Sequence, residues 1–424
     1  MGERSLVWFT KDLRIQDNEF LSSLSQSQTS VVALVFKPLG LSAGQQEFFR
    51  QSAMDLQNSL ALKNIKLYCI EGSPELEIVK WVQENSIQFV FASSVYNTRD
   101  QQTIDKVAIA LKANTKAHFK AFDQSTLLHA DDIRFVLNRL PSTFTPFRKL
   151  VEESWTVRDV ALTDFKNLLG FTPIIPPSTQ LVDLANSDGA PNLPYHLNGG
   201  ETAAWQRLKE FLWETRSIDS YKDNRNGMLE KNDSSKFSPW LANGCMSSRS
   251  IYHEIKAYEQ TYAANDSTYW LIFELLWRDY FKFHSLKIGE QLFKVDGFLK
   301  KIKPWLDDEE SFLRWCQGET RVDFVDANMK ELVQTGWMSN RGRQNVASYF
   351  SKQLKMSWTR GAEFFEKHLL DYDVESNWGN WQYLAGVGTD PRDRDFNIQR
   401  QAEHYDPDFK YRNKWLGDSS VGGQ

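Results

Sequence analysis

Cysteine is scarce. Cys69, Cys245 and Cys316 lie far apart in a chain of 424 residues, and no C-x-x-C pair occurs. That spacing excludes a disulfide scaffold and speaks against a thiolate-held zinc or iron–sulfur centre; a cytoplasmic protein with reduced thiols is expected. Long apolar runs are also missing: no stretch reaches the roughly 18 residues of a membrane span. Strand-forming sequence, Ser5-Leu6-Val7-Trp8-Phe9, begins where a signal peptide would have to stand. The seven histidines never adopt H-E-x-x-H or another ligand spacing, so no metal is expected, and His284 reads as a satisfied core residue. No G-x-G-x-x-G follows the first strand. Chemistry, with these excluded, is expected to belong to an organic cofactor. A formal charge of −5 argues against electrostatic coating of nucleic acid but leaves room for a local basic face.

Aromatic residues, by contrast, are plentiful and uneven. Twelve of fifteen tryptophans lie beyond residue 195, so the two ends of the chain are built differently. In the first part, short apolar runs at 6–9, 31–36, 65–70, 89–92 and 118–122 alternate with helical spacings. Examples are Leu56, Leu60 and Leu62, then Leu76, Val79, Trp81 and Val82. This predicts an α/β domain over 1–128, an open, parallel, doubly wound sheet of about five strands. The runs 170–177 and 186–191 are rich in breakers, and residues 129–197 read as a surface connector, with one helical piece near 147–157. Residues 198–424 carry helical periodicity throughout and read as an all-α domain. Within it, Ser238-Pro239 is expected to supply an N-cap and a first-turn proline, and Gly244 a stop.

Four clusters could carry chemistry. Tyr221-Lys222-Asp223-Asn224-Arg225-Asn226-Gly227, followed by Ser234-Ser235-Lys236-Phe237-Ser238-Pro239, offers hydroxyls, a lysine and a helix start, as a phosphate cradle would. An ordinary capped loop would look the same. Trp270, Glu274, Trp277 and Phe281 share one helical face, which places a carboxylate between indoles. Either Arg278, four residues on, neutralises Glu274, or Glu274 and Trp277 line a pocket. Trp337-Met338-Ser339-Asn340-Arg341-Gly342-Arg343-Gln344-Asn345 and the stretch from Asp371 to Tyr383 mix amides, carboxylates and rings. That mixture suits a planar heteroaromatic ligand, and equally a polar inter-helix turn.

Together these clusters resemble the photolyase/cryptochrome family along nearly the whole chain. Leu6-Val7-Trp8-Phe9-Thr10-Lys11-Asp12-Leu13-Arg14-Ile15-Gln16-Asp17-Asn18 looks like the family's opening strand and loop. Phe147-Arg148-Lys149-Leu150-Val151-Glu152, the Tyr221 and Ser234 clusters, and residues 267–280 and 376–388 look like its DASH branch. Arg394-Asp395-Phe396-Asn397 and Tyr405-Asp406-Pro407 extend the match.

The resemblance implies a helical domain holding a folded FAD. Tyr221, Ser234, Ser235, Lys236, Phe237 and Ser238 would hold its phosphates. Asn340, Arg343, Asp371 and Asp373 would surround flavin and ribitol, and Asn377 would face the flavin N5. Trp381, Trp358 and Trp305 match the family's electron relay. The implied reaction is light-driven splitting of cyclobutane pyrimidine dimers, mainly in single-stranded DNA. Glu274 and Trp277 would contact the flipped lesion, with Arg341, Gln344 and Tyr383 near the mouth. Tyr383 stands where many duplex-competent relatives have tryptophan.

Some positions depart from the pattern. Asp233 replaces an aromatic residue and Asn224 a threonine. Residues 95–100 lack, in register, the glutamate that contacts the folate antenna (methenyltetrahydrofolate), so that antenna has less support than FAD. The lack of histidine beside Trp337-Met338-Ser339 argues against repair of (6-4) photoproducts. A blue-light receptor that signals through flavin photoreduction without repair is the alternative. An electron-transfer or oxidase flavoprotein gains nothing from the Glu274–Trp277 face. The short sequence after Trp415 and that face both favour the enzyme, which is expected to be a monomer that does not bind membranes.

Overall fold

The computed structural model describes residues 3–417 apart from Ser154, Asp188 and Pro391. The β-branched runs of the first part form strands β1 (Arg4–Phe9), β2 (Thr29–Phe36), β3 (Leu67–Glu71), β4 (Phe89–Ser93) and β5 (His118–Phe122). They lie in the order β5-β4-β1-β2-β3, all parallel, with Leu6 opposite Val32 and Val90. Successive side chains enter two different cores. Leu6, Trp8, Val32 and Leu34 pack on one face with Ile78, Trp81, Ile104 and Val107. Val7, Phe9, Val31, Ala33 and Val35 pack on the other with Phe20, Phe48, Ala53 and Leu56. A sheet buried on both faces explains why these strands read as continuous apolar runs. Leu62 and Leu76, expected on core faces, are exposed at the helix ends.

The sheet has seven strands rather than about five. The segment expected as connector supplies β6 (Leu168–Gly170), parallel to the start of β2, and β7 (Gln180–Leu181), antiparallel to the end of β3. Runs of three and two residues leave no periodicity to read. The helical piece expected near 147–157 is Phe144–Glu152, so it starts earlier and brings Phe144 onto the helical half.

Beyond residue 200 the structure is helical, with one isolated bridge, Leu306 to Met356, and no further strand pairing among the described residues. Buried polar contacts fix the α/β part on the helical part. Arg249 bonds Asp17 through two nitrogens (2.7 and 3.0 Å), and Glu201 accepts from the backbone N–H of Ile15 and Gln16. Gly244 ends the helix Ser238–Asn243 at φ +68°, and a Cβ there would meet the Lys11 carbonyl at 1.9 Å, so glycine alone permits this approach. Ser238 is the first helical residue and not the N-cap; Phe237 holds that position, with Pro239 in the first turn. No helix among the described residues is long and apolar enough to cross a membrane.

His284 is buried, but neither ring nitrogen has a hydrogen-bond partner, so it is a core residue without being a satisfied one. It lies along Tyr280 and edge-on to Phe298, and burial pushes its pKa down to about 4, which keeps the imidazole neutral.

Candidate functional site

The longest helix, Asp266–Ile288, builds one wall of the site. Asn265 caps it by accepting from the Ser267 and Thr268 N–H groups, while the Thr268 hydroxyl accepts from the Asn265 N–H. Glu274 and Trp277 line a deep cavity from this helix. Trp277 is backed by Phe144, whose ring lies parallel at 3.8 Å between centroids, and is met edge-on by Tyr383 at 6.4 Å. One face of the indole is thus held against the protein, and its orientation is fixed before any ligand arrives.

Glu274 is paired with Arg225 at 2.7 Å, and not with Arg278. Arg278 turns the other way: it donates to the carbonyls of Ser125 and Leu241 and reaches Asp373 at 3.9 Å. The expected neutralisation by Arg278 is corrected by this geometry, because the backbone acceptors at the junction of the two halves outcompete the neighbour four residues back. Burial raises the Glu274 carboxyl above its usual range, opposed by the Arg225 charge.

The second wall is the loop Ser234, Ser235, Lys236, Phe237 and Ser238, which lines the same cavity with Tyr221. Arg207 holds the loop from behind, donating to the carbonyls of Lys231, Ser234 and Ser235. Asp233, one of the departures from the family pattern, closes the preceding turn by accepting from the N–H groups of Leu229 and Glu230. Lys236 is buried at φ +56°, its ammonium over the rings of Tyr195 and Trp337, and burial lowers its pKa to about 8. Asn224 bonds the Ser220 hydroxyl and takes no part in the cavity.

The cavity continues past Asn340, Arg343, Asp371, Ser376 and Asn380 into a deeper recess lined by Gln344, Asp373, Asn377, Trp381 and Leu384. Arg343 donates to both Asp371 oxygens at 2.9 Å and to the Met338 carbonyl. Asp373 caps the helix Val374–Ala385 by accepting from the Ser376 N–H at 3.0 Å. Although burial works against its charge, Lys282 at 3.4 Å and Arg278 hold its carboxyl well below the usual range. Asn377 donates one amide hydrogen to the Ala362 carbonyl at 3.0 Å, leaving its second N–H for the recess.

Trp381 lines this recess and is buried, as is Trp358, while Trp305 is half-buried. Their closest ring contacts are with other residues. Trp381 meets Phe365 (5.1 Å), Phe350 (5.9 Å) and Trp315 (6.2 Å), while Trp358 meets Trp378 (5.6 Å). The helix carrying Trp358 approaches Trp381 at Gly361, where a Cβ would stand 2.3 Å from the indole. Gly361→Ala is therefore expected to displace Trp381 and cost about 1–3 kcal/mol through overpacking. Urea unfolding with tryptophan fluorescence checks this, and unchanged values for both would contradict the contact.

Of the expected site residues, Arg341 and Tyr383 sit beside the cavity without lining it. Arg341 bonds Gln344 and Asn226 and lies over Tyr405. Sequence reasoning missed Arg225 as the partner of Glu274, Phe144 as the support of Trp277, and Lys282 as the partner of Asp373. Lys282 had a signal, a cation on an apolar face one turn beyond Arg278. Phe144 had none, since it arrives from a distant segment.

The chamber thus joins two chemistries. A loop of hydroxyls with one lysine, Arg343 and two aspartates enclose one part, while rings and Glu274 face another, as a large cofactor beside a substrate pocket requires. Two family models match the chain: "DNA photolyase" over residues 5–165 and "FAD binding domain of DNA photolyase" over 270–420. The chain is 42% identical to a cryptochrome DASH of Gloeobacter violaceus, over 97% of this chain and 85% of that protein. It is 41% identical to a cryptochrome DASH of Xenopus laevis, over 96% and 81%. A crystal structure of a Synechocystis cryptochrome superposes with a TM-score of 0.90 at 38% identity, covering 98% of this chain and 89% of that one. A bacterial class III photolyase from Agrobacterium tumefaciens gives a TM-score of 0.82 at 26% identity, over 98% and 87%.

Proposed function

The chain belongs to the photolyase/cryptochrome family, among the cryptochrome DASH proteins, with FAD as its cofactor, and on that premise we propose that it splits cyclobutane pyrimidine dimers in DNA under light, mainly in single strands. Bound and reduced, FAD supplies the light-absorbing one-electron donor. The residues do the rest. Ser234, Ser235 and Ser238 with Lys236 and Tyr221 would take the phosphates, Arg343 and Asp371 would hold the flavin, and Asp373 keeps its charge in the recess. Asn377 would offer its second amide N–H to the flavin.

The observation that carries the proposal is the position of Glu274 and Trp277 in the same cavity as these groups. A receptor that only photoreduces its flavin has no use for a stacking plane and a hydrogen-bonding carboxyl there. Extruding a lesion costs a few kcal/mol in duplex and less in a single strand. Tyr383 presents a smaller ring than tryptophan against Trp277, so less stacking is available to offset that cost. Single strands are favoured for this reason.

The two residues divide the work. Trp277→Ala is expected to weaken binding of a dimer-containing oligonucleotide by about 1–3 kcal/mol. Glu274→Ala should instead lower the repair yield per absorbed photon more than the affinity. The Glu274 carboxyl, held by Arg225 at 2.7 Å, can hydrogen-bond a base edge of the dimer and so place it for electron uptake. Affinity and quantum yield, measured for both variants with fully reduced protein, test this division. Wild-type behaviour of both variants in both assays would make these residues packing and favour the receptor reading.

A further inference from the structure

Residues 294–306 form an exposed face over the outer end of the proposed relay. The Val295 carbonyl accepts from the Trp358 indole N–H at 2.9 Å, and the Leu306 N–H donates to the Lys355 carbonyl. Gly297 packs against Val387, and the Leu299 N–H bonds the Val387 carbonyl. The segment is therefore anchored at several points, yet its aliphatic side chains point outward. Val295 is 45% exposed, Leu299 49%, Leu306 53% and Ile302 92%. Four large aliphatic side chains on one short anchored segment mark an interaction surface more than a chance scatter.

The charge around this face is specific. The segment carries Lys294, Lys300, Lys301 and Lys303 against Asp296, in a chain whose formal charge is −5, and Lys301 and Lys303 are paired with Asp393 at 3.2 and 2.9 Å. Lys294 and Lys300 make no ion pair among the described residues, and the Lys303 ammonium lies over the Trp305 ring at 5.9 Å. In the acidic run that follows, Asp307 and Glu309 are paired with Arg360 and Glu310 with Arg314. An apolar patch with a lysine rim fits a protein of negative surface charge. Nucleic acid would call for exposed aromatic stacking planes, and the exposed side chains here are aliphatic.

We propose that this face docks a small acidic one-electron carrier protein, which returns an electron to Trp305. The inference rests on the relay that the family resemblance gives to Trp381, Trp358 and Trp305. In the step itself, the carrier loses one electron and is oxidised. Trp305, left one electron short by its inward neighbour, gains it and regains a closed shell. No bond forms or breaks. Such encounters are small and salt-dependent, as steering by lysines requires.

The test is binding in the dark, with the FAD-loaded protein and two purified probes, a plant-type [2Fe–2S] ferredoxin and a flavodoxin, by calorimetry at low salt. At least one should bind the wild type. Ile302→Glu, and separately the double variant Lys294→Glu with Lys300→Glu, should weaken that binding by about tenfold or more. All three positions are exposed, and an unchanged flavin-to-protein ratio verifies the fold. Binding of neither probe overturns the proposal. So does unchanged carrier affinity in the variants, or loss of single-stranded DNA binding in its place, which would make this a nucleic-acid face. Dimer repair by chemically reduced wild type and variants is measured alongside. Its absence in the wild type would remove the repair reading and leave docking standing, whereas intact repair with unaltered carrier binding would remove docking alone.

Discussion

Asp373→Ala is expected to yield protein that retains little FAD and is less stable by about 3–5 kcal/mol, the cost of breaking a buried ion pair from one side. Three roles are lost together. The side chain caps the helix Val374–Ala385, it offsets Lys282 at 3.4 Å, and its charge lines the recess. Glu375, at 3.2 Å from Lys282, softens the loss, which places the expected value near the lower end of that range. Asp373→Asn separates the roles, because asparagine caps as well as aspartate but carries no charge. The pH dependence has a definite sign. With its folded pKa depressed, Asp373 stabilises fully above its unfolded value of about 3.9 and loses that contribution as the pH falls. Wild type and Asp373→Asn should therefore differ at neutral pH and converge in acid. Flavin absorbance per protein and urea midpoints across pH check both variants, and wild-type values in Asp373→Ala would contradict the assignment.

Trp381→Phe is expected to slow light-driven reduction of the bound FAD by an order of magnitude or more, with flavin content nearly unchanged. Trp381 is the tryptophan that lines the recess, and phenylalanine keeps most of its packing while removing the easily oxidised indole. Repair by chemically reduced protein should be largely retained, because that electron comes from the flavin. The structure also supplies an internal control. Trp381 touches Trp315 at 6.2 Å, and Trp315 is buried with its N–H on the Val346 carbonyl. If the relay runs through Trp358, then Trp358→Phe slows photoreduction and Trp315→Phe does not. Steady-state photoreduction with an external donor distinguishes them, and equal rates in Trp381→Phe and wild type would show that the route lies elsewhere.

Much of this architecture was legible in the sequence, for reasons particular elements make clear. The five main strands announce themselves as β-branched runs because both faces of the sheet are buried. The helix Asp266–Ile288 reveals its ring-and-carboxylate face through spacing alone. What was not legible depends on contacts between distant segments. Strands β6 and β7 are too short to carry a pattern, and they exist only because the edges of β2 and β3 are there to pair with. Arg225, 49 positions from Glu274, wins the carboxylate over the local Arg278, whose hydrogens are claimed by backbone carbonyls. Phe144 stacks on Trp277 from a segment that reads as connector. His284 shows the converse, a residue whose burial was foreseeable but whose lack of partners was not. In the cavity, the individual residues Asn340, Arg343, Asp371, Asp373 and Asn377 were named by resemblance. Their convergence with the Ser234–Ser238 loop is a property of the fold.

The central claim is that one chamber holds FAD and presents a dimer to it. Its most direct test is blue-light repair of a single cyclobutane thymine dimer, in a single-stranded and in a duplex oligonucleotide, by purified, fully reduced protein. The account predicts restored thymines in the single strand, with a lower rate in the duplex and none in the dark. Full flavin content with no repair of either substrate under light would contradict it.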